Sequence, residues 1–324
     1  MPEPLFVGTG LPRDASELVV PTGAAVQPDY IRACADAHER SGFDSVVVGE
    51  SSSSPDAMTI AAHLLGASDT LGVVVSVRAG LIAPTYAARA LASLDAMHPG
   101  RVAVHLPDVI SDDEPVRDGD WADRGARQRR RAEFAELAHL AWTADRPIEH
   151  AGEFYRVSGA WSAVRPARAL PLWVSGASPA SDELAGRLGD VYLLPRESPR
   201  ELVARMHAVR SLAGTRAVRF GLRLRPIVRP TASGAAAVAD RVLRVRPGPT
   251  LPRSVALPAI SGALDGFGPL IGTAEDVAAT LRRYGTLGID VFQLSGYEPI
   301  EDAARYADVI EKVRAGKPRL LAGA

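Results

Sequence analysis

A tyrosine follows directly on the last strongly apolar stretch of the chain. Residues 288–294 read Gly-Ile-Asp-Val-Phe-Gln-Leu, and Ser295-Gly296-Tyr297 comes next, shortly before a helical pattern at 301–313. In a repeating β/α fold, side chains just past the carboxyl end of a strand face the active-site mouth. We therefore expect Tyr297 to lie where the chemistry takes place.

Two arginines alternate with leucines in a second apolar stretch. Arg223 and Arg225 are separated by Leu224 and preceded by Leu222, so on a single strand both would point to one face. A guanidinium group recognises anions with several donors in one plane, and an uncompensated charge between parallel strands is costly. The pattern favours an anion-binding role. The alternative is a structural ion pair with a carboxylate such as Glu50.

A short turn supplies a third candidate. Gly176, Ala177 and Ser178 lie between the apolar residues 172–175 and a helical pattern at 180–187. Free backbone amides at a helix N-terminus bind phosphate well, so this turn is a candidate phosphate site. An ordinary strand-to-helix turn is the alternative.

The elements that carry these residues alternate between strand and helix along nearly the whole chain. Helices are predicted near 29–41, 56–65, 85–97, 124–142, 180–187, 235–243 and 301–313, and Thr273 is predicted to cap a further helix. Eight near-continuously apolar strands, without a dinucleotide-binding motif, favour a (β/α)8 TIM barrel over a doubly wound sheet. Those strands are predicted at 5–7, 45–48, 72–77, 101–106, 172–175, 191–194, 220–228 and 291–294.

The length of 324 residues suits one such barrel with insertions. We predict a single domain over 1–324, with inserted segments at roughly 107–123, 146–170 and 229–270. The second segment has the pattern of a hairpin. The third is rich in Pro, Gly, Ala and Arg, which is consistent with a lid or an interface arm.

Bulk composition limits the classes of partner. A formal charge of −1 gives no electrostatic reason to expect nucleic acid or an anionic membrane surface. The single cysteine, Cys34, excludes an internal disulfide and is expected to be buried in a helix. No histidine pair has the spacing of a metal site, so no metal is expected. With no basic leader and no apolar run near ~18 residues, the chain is predicted to be cytoplasmic.

Five stretches, in order and spacing, resemble the bacterial luciferase-like flavin monooxygenases, and the alkanesulfonate monooxygenase branch is the most similar. The last of them ends in Ser295-Gly296-Tyr297. The stretches are Gly-Phe-Asp-Ser-Val-Val-Val from 42, Arg-Ala-Gly-Leu-Ile-Ala-Pro-Thr-Tyr from 78, Pro-Leu-Trp-Val-Ser-Gly-Ala-Ser from 171, Phe-Gly-Leu-Arg-Leu-Arg-Pro from 220, and 270–297.

The resemblance implies a luciferase-like TIM barrel that uses dioxygen and reduced FMN (FMNH2), which a separate NAD(P)H:flavin reductase supplies. The alkanesulfonate branch converts a sulfonate to an aldehyde and sulfite, whereas a sister branch uses the deazaflavin F420 for hydride transfer. Members are usually dimers or tetramers, so a homodimer or homotetramer is expected.

The resemblance also implies roles for individual residues. Tyr297 would donate a hydrogen bond to the flavin or substrate. Ser76 and Val77 would lie against the isoalloxazine ring, beside His105, which stands where the family usually has asparagine. The turn 176–178 would hold the flavin phosphate.

Several positions depart from the alkanesulfonate pattern. Ser54 stands in place of a cysteine, Arg225 in place of a histidine, and Gln128 in place of a tyrosine near the phosphate. Pro299 falls near another histidine position, and residues 107–110 replace Thr-Gly-Gly-Asp.

These departures favour an FMNH2-dependent monooxygenase of altered substrate range, acting between Ser54, Arg223, Arg225 and Tyr297 on a small organic substrate, for which the arginines favour an anionic group. One alternative is an F420-dependent oxidoreductase, for which 127–131 would offer a basic rim. The other is a non-catalytic barrel that has lost flavin chemistry.

Overall fold

Short apolar segments form the strands, as the sequence predicts. The computed structural model describes residues 2–14, 23–108, 112–195, 197–245 and 270–316. The strands in chain order are β1 (Leu5–Gly10), β2 (Ser45–Val48), β3 (Gly72–Ser76), β4 (Val102–Leu106), β5 (Ile148–Ala151), β6 (Arg156–Ala160), β7 (Leu172–Ser175), β8 (Val191–Leu194), β9 (Arg219–Leu224), β10 (Ile227–Val228), β11 (Ile271–Gly272) and β12 (Val291–Leu294).

Eight of these strands close into one parallel barrel. The order around it is β1-β12-β9-β8-β7-β4-β3-β2, with β1 and β2 paired to complete the circle. The remaining strands form two small two-stranded sheets, β5–β6 and β10–β11. Helices separate successive barrel strands, so the predicted (β/α)8 TIM barrel is confirmed.

The helices begin at residues suited to a first turn. Proline lies in the first turn of α1, α3, α6, α7 and α10, and Thr273 forms the predicted cap with Asp276. The helices are α1 (Pro28–Arg40), α2 (Ala57–Gly66), α3 (Pro84–Met97), α4 (Asp113–Arg117), α5 (Arg124–Thr143), α6 (Pro179–Arg187), α7 (Pro199–Ala213), α8 (Ala232–Val245), α9 (Ala274–Leu287) and α10 (Pro299–Ala315). None of the helices in the described ranges is long and apolar enough to cross a bilayer.

The barrel interior changes from apolar to polar along the strands. One buried cluster fills its lower layers with Val7, Val47, Val74, Trp173, Val191, Leu193 and Val291. Because side chains alternate along a strand, the next inward positions are polar at the carboxyl ends of several strands. Those positions are Ser76, His105, Ser175, Arg223 and Gln293. A candidate site therefore lies above a dry core.

The prediction of the seventh strand, 220–228, is wrong about where this strand ends. The barrel strand β9 stops at Leu224, and Ile227–Val228 instead pair with β11 outside the barrel. Pro226 has no N–H to donate to a strand ladder, which explains the break.

The segments predicted as insertions contain several elements outside the barrel. The segment 146–170 contains the antiparallel β5–β6 hairpin, and 112–123 contains α4, which the sequence pattern did not predict. In the 229–270 segment the structure describes α8 and residue 270, while 246–269 lie outside the described residues. The division into one domain with three insertions stays a prediction.

Burial of Trp173 in the barrel interior gives a stability prediction. Its side chain is 3% exposed, whereas that of Trp121 is 79% exposed. Trp173→Ala should lower the free energy of unfolding by about 3–5 kcal/mol through lost burial and a residual cavity. The matched control Trp121→Ala should stay within about 0.5 kcal/mol of the parent protein. Equal losses in urea denaturation would contradict the proposed interior.

Candidate active site at the barrel mouth

A neutral histidine is fixed between two serines at the upper end of the barrel interior. Nδ1 of His105 lies 3.0 Å from Oγ of Ser76, and Nε2 lies 2.9 Å from Oγ of Ser175. Burial chiefly, and then the positive charges of Arg223 and Arg131, lower the pKa of His105 to about 3. The imidazole therefore stays neutral near pH 7, and both ring nitrogens have a hydroxyl partner.

Arg223 is an inward position at the same level of the barrel on β9, which β7 and β8 separate from β4. It is in register with Gln293 on β12, and its Nε donates to Oε1 of Gln293 at 3.0 Å. Water reaches part of the side chain, yet the surrounding protein desolvates the guanidinium and lowers its pKa. Within the described ranges, no carboxylate pairs with this cation. Glu50, the carboxylate considered as its partner, instead pairs with Arg78 at 3.2 Å.

Arg225 and Tyr297 form a contact of their own. The guanidinium of Arg225 stacks over the Tyr297 ring, with 4.2 Å between Cζ and the ring centroid. The ring also packs against a small hydrophobic cluster of Ile227 with α8. Arg225 follows the end of β9, so the alternation predicted for the two arginines on one strand does not extend to it. The structure thus brings Tyr297 together with Arg225.

The loop that carries Tyr297 is held by a buried carboxylate. Oδ2 of Asp302 accepts hydrogen bonds from the backbone N–H groups of Tyr297 and Glu298, at 2.8 and 3.1 Å. Oδ1 of the same residue accepts from Arg305 at 2.6 Å and from Arg229 at 3.3 Å. The position of Tyr297 is therefore set by several charge-assisted bonds.

Two predicted site residues have other surroundings. Ser54 is exposed in the turn after β2, where its Oγ donates to the carbonyl of Ser51 at 3.1 Å and accepts from the Ser51 N–H at 2.9 Å. Val77 is 4% exposed and packs in the same large hydrophobic cluster as Val75. Its side chain belongs to the core rather than to the polar layer around His105, since alternation turns it away from Ser76.

The predicted phosphate turn leads into α6, as expected. Gly176 has φ of +141°, a conformation that disfavours any side chain. Oγ of Ser178 caps the helix by accepting from the N–H of Ser181 at 3.2 Å, and it also accepts from Nε2 of Gln128 at 2.9 Å. Ala177 between them is exposed. The turn and the N-terminus of α6, the predicted phosphate cradle, thus lose one amide donor to Pro179 at the first helical position, and the role of the turn stays a prediction.

A buried arginine supports this turn from below. Arg131 donates from Nη1 to the Ser175 carbonyl at 3.0 Å and from Nη2 to Oγ of Ser181 at 2.7 Å. Burial lowers its pKa. It therefore links the polar layer of His105 and Ser175 to the N-terminus of α6.

The basic rim predicted at 127–131 is neutralised by carboxylates. Each exposed or half-buried arginine of the stretch has an acidic partner, while Arg131 is buried. The pairs are Arg127 with Asp112, Arg129 with Glu153 at 2.9 Å, and Arg130 with Asp120. The rim at 127–131 therefore carries paired charges, which the sequence alone does not show, and its role toward F420 stays a prediction.

Three residues of this mouth were not identified from the sequence. Ser175 and Gln293 occupy inward positions at or near the ends of their strands. Each lies two residues after an inward-facing apolar residue, Trp173 or Val291, so the alternation of side chains along a strand would have identified them. Asp108, only two residues beyond β4, brings its carboxylate to the N-terminus of α6; its side chain is 4% exposed. No local pattern indicates that contact.

The part of the chain that the structure describes contains no cluster of side chains that could bind a metal ion. No group of three or more His, Cys, Asp and Glu side chains is arranged there to hold an ion. Cys34, the single thiol, is buried as predicted, and burial raises its pKa to about 11.

A family model described as luciferase-like monooxygenase matches residues 13–291. The chain belongs to this family. The polar layer at the carboxyl ends of a luciferase-like barrel is thus the place where family members carry their active sites.

Solved structures share the fold along nearly the whole chain. The chain is similar to the EDTA monooxygenase of Chelativorans sp. BNC1, with 17% identity, TM-score 0.81, and coverage of 97% of this chain and 94% of that one. It is also similar to an F420-dependent secondary alcohol dehydrogenase, with 20% identity, TM-score 0.74, and coverage of 96% and 99%. DmoA of Hyphomicrobium sulfonivorans gives 17% identity, TM-score 0.77, and coverage of 96% and 87%.

The buried neutral His105 gives a prediction on acid stability. In the folded protein its pKa is about 3, whereas an unfolded histidine titrates near ~6.5. Between these two pKa values, His105 is protonated in the unfolded chain and neutral in the folded protein. The free energy of unfolding should fall as pH drops from ~6.5, by up to about 1.4 kcal/mol per pH unit for this group.

The His105→Asn variant tests this dependence in urea unfolding between pH 4 and 7. Its slope should be shallower than that of the parent by about 1.4 kcal/mol per pH unit. His38, with a pKa of about 4, contributes equally to both proteins. His139→Asn, on an exposed face of α5, is the matched control and should leave the slope unchanged. An unaltered slope in His105→Asn would contradict a neutral, desolvated imidazole.

Proposed function

We propose that this luciferase-like barrel is the oxygenase component of a two-component monooxygenase, which uses FMNH2 and dioxygen on a small anionic organic substrate. The observation that carries the proposal is Arg223. This cation at the barrel mouth is exposed, is held by Gln293 and lacks a carboxylate partner among the described residues. A fixed guanidinium that no carboxylate neutralises is available to bind an incoming anion.

The geometry indicates how Arg223 would act on such a ligand. Gln293 accepts from Nε, so the terminal nitrogens are the donors that remain for a carboxylate or sulfonate. Because the guanidinium stays protonated, it would orient and stabilise an anion and would not act as a base. The neutral His105, whose pKa the charge of Arg223 helps to lower, would add hydrogen-bonding capacity without a second positive charge.

The residues at the mouth also fit a flavin, which would supply oxygen activation when bound. The N-terminus of α6, the Ser178 hydroxyl and Gln128 form a donor set suited to a phosphate. Ser76 and His105 would face the isoalloxazine ring and hold hydrogen bonds there. The apolar layer beneath them would form the dry floor of the site.

Tyr297, Arg225 and Ser54 remain proposed members of the site. Tyr297 and Arg225 would form one wall together, with the phenol as a donor to substrate or flavin. Ser54 would lie at the rim, since its hydroxyl is engaged in its own turn. Val77 would contribute through its backbone, whose N–H donates to the His105 carbonyl at 2.9 Å.

Partners follow from the same proposal. A separate NAD(P)H:flavin reductase would deliver FMNH2, and the enzyme would work in the cytoplasm as a homodimer or homotetramer. The F420-dependent alternative has a structural neighbour in its favour. However, the paired arginines at 127–131 offer little to a polyanionic F420 tail. The third candidate function is a non-catalytic barrel that has lost flavin chemistry.

Anaerobic binding titrations distinguish these three functions. We expect FMNH2 to bind more tightly than oxidised FMN and much more tightly than F420. A preference for F420 would establish the oxidoreductase alternative. Failure of all three to bind near millimolar concentration would support a barrel without flavin chemistry.

Arg223→Ala tests the anion site itself, with ethanesulfonate as the probe in calorimetry. Losing a charged hydrogen-bond donor should weaken binding about 10- to 100-fold (~1.4–2.8 kcal/mol). The free energy of unfolding should change by less than about 0.5 kcal/mol, because the side chain is exposed and pairs with no carboxylate among the described residues.

Arg219→Gln is the matched control on the opposite end of β9. Arg219 pairs with the buried Asp290 at 3.2 Å, so this variant should lose stability yet keep its ethanesulfonate affinity. If Arg223→Ala behaves like Arg219→Gln, then Arg223 has a structural role and the proposed anion site is wrong.

A further inference from the structure

The anion cradle at the N-terminus of α6 contains a carboxylate of the protein itself. Asp108 leaves the end of β4 and reaches the turn formed by 176–178, where its side chain is 4% exposed. We propose that Asp108 is an internal competitor for the cofactor phosphate, which keeps the flavin readily exchangeable. This inference rests on the proposed FMN-dependent function and concerns the phosphate end of that same site.

The donors of the cradle surround one oxygen of Asp108. Oδ2 lies 3.5 Å from Nε2 of Gln128, 3.5 Å from Oγ of Ser181 and 3.4 Å from a terminal nitrogen of Arg124. All three distances are at the long end for hydrogen bonds or ion pairs. The Asp108 carboxylate is therefore surrounded by hydrogen-bond donors, but each donor lies too far away to hold it tightly.

The turn is shaped around this carboxylate. A Cβ atom at Gly176 would lie 2.8 Å from Cβ of Asp108 and 2.2 Å from Oγ of Ser181, so only glycine permits the close approach. Gln128 contributes to both anion positions, because its amide also donates to Ser178 at 2.9 Å. A phosphate at this turn and the Asp108 carboxylate would thus share the same donors.

Electrostatics makes the two anions exclude each other. A phosphate dianion beside a nearly buried carboxylate is repelled strongly, since little water screens the pair. Phosphate binding therefore requires the Asp108 carboxylate to be displaced. For a flavin that shuttles between a reductase and an oxygenase, this penalty would prevent the protein from retaining the cofactor after each turnover.

The experiment compares FMN with riboflavin, which lacks the phosphate. In Asp108→Asn the dissociation constant for FMN should fall at least about tenfold (~1.4 kcal/mol), and that for riboflavin should change less than about twofold. Asp112→Asn is the control, because this carboxylate is 79% exposed and pairs with Arg127. It should leave the FMN-to-riboflavin ratio as in the parent. Asp108→Ser replaces the asparagine variant if that variant does not fold.

An equal change for FMN and riboflavin, or no gain for FMN, would overturn the role of Asp108. Inorganic phosphate separates this failure from failure of the proposed function. If no variant binds any flavin, the flavin function is wrong. Phosphate should still raise the thermal midpoint of Asp108→Asn more than that of the parent. If phosphate raises the two midpoints equally, the competitor role is wrong as well.

Discussion

The inward-facing side chains of a barrel strand change from apolar to polar along that one strand. Below, valines and Trp173 pack against one another without water. One alternation step higher, Ser76, His105 and Ser175 replace them and bond to one another. This switch depends on strict strand register, because a slip of one residue would bury the polar row in the layer between barrel and helices. The site exists only because the register holds.

Charge balance divides the mouth into two regions. Around α5 nearly every arginine has a carboxylate partner, and the cradle at α6 contains Asp108. Across the barrel, the partner of Arg223 among the described residues is the neutral Gln293. Under the proposed function, an anion would compete with Asp108 at the α6 end and would meet Arg223, which no described carboxylate neutralises, at the other end.

The sequence predicted the parts that depend on local pattern. The eight barrel strands, the hairpin at 146–170 and the Thr273–Asp276 cap all follow from periodicity or from residue types suited to one conformation. One error lies at Pro226, which ends β9 early and leaves Ile227 to pair with Ile271 outside the barrel. The carboxylate partners of Arg127 and Arg130, 15 and 10 residues away along the chain, were also not foreseen. Asp108 reaches Ser181 across 73 residues of sequence, a contact that no local pattern records.

The central claim is that Arg223 is an anion site beside a flavin. A crystal structure of the protein grown with FMN and ethanesulfonate tests it most directly. We predict density for the sulfonate within hydrogen-bonding distance of the terminal nitrogens of Arg223, with the flavin ring near Ser76 and His105. A structure in which Arg223 instead pairs with a protein carboxylate, and neither molecule occupies the mouth, would contradict the claim.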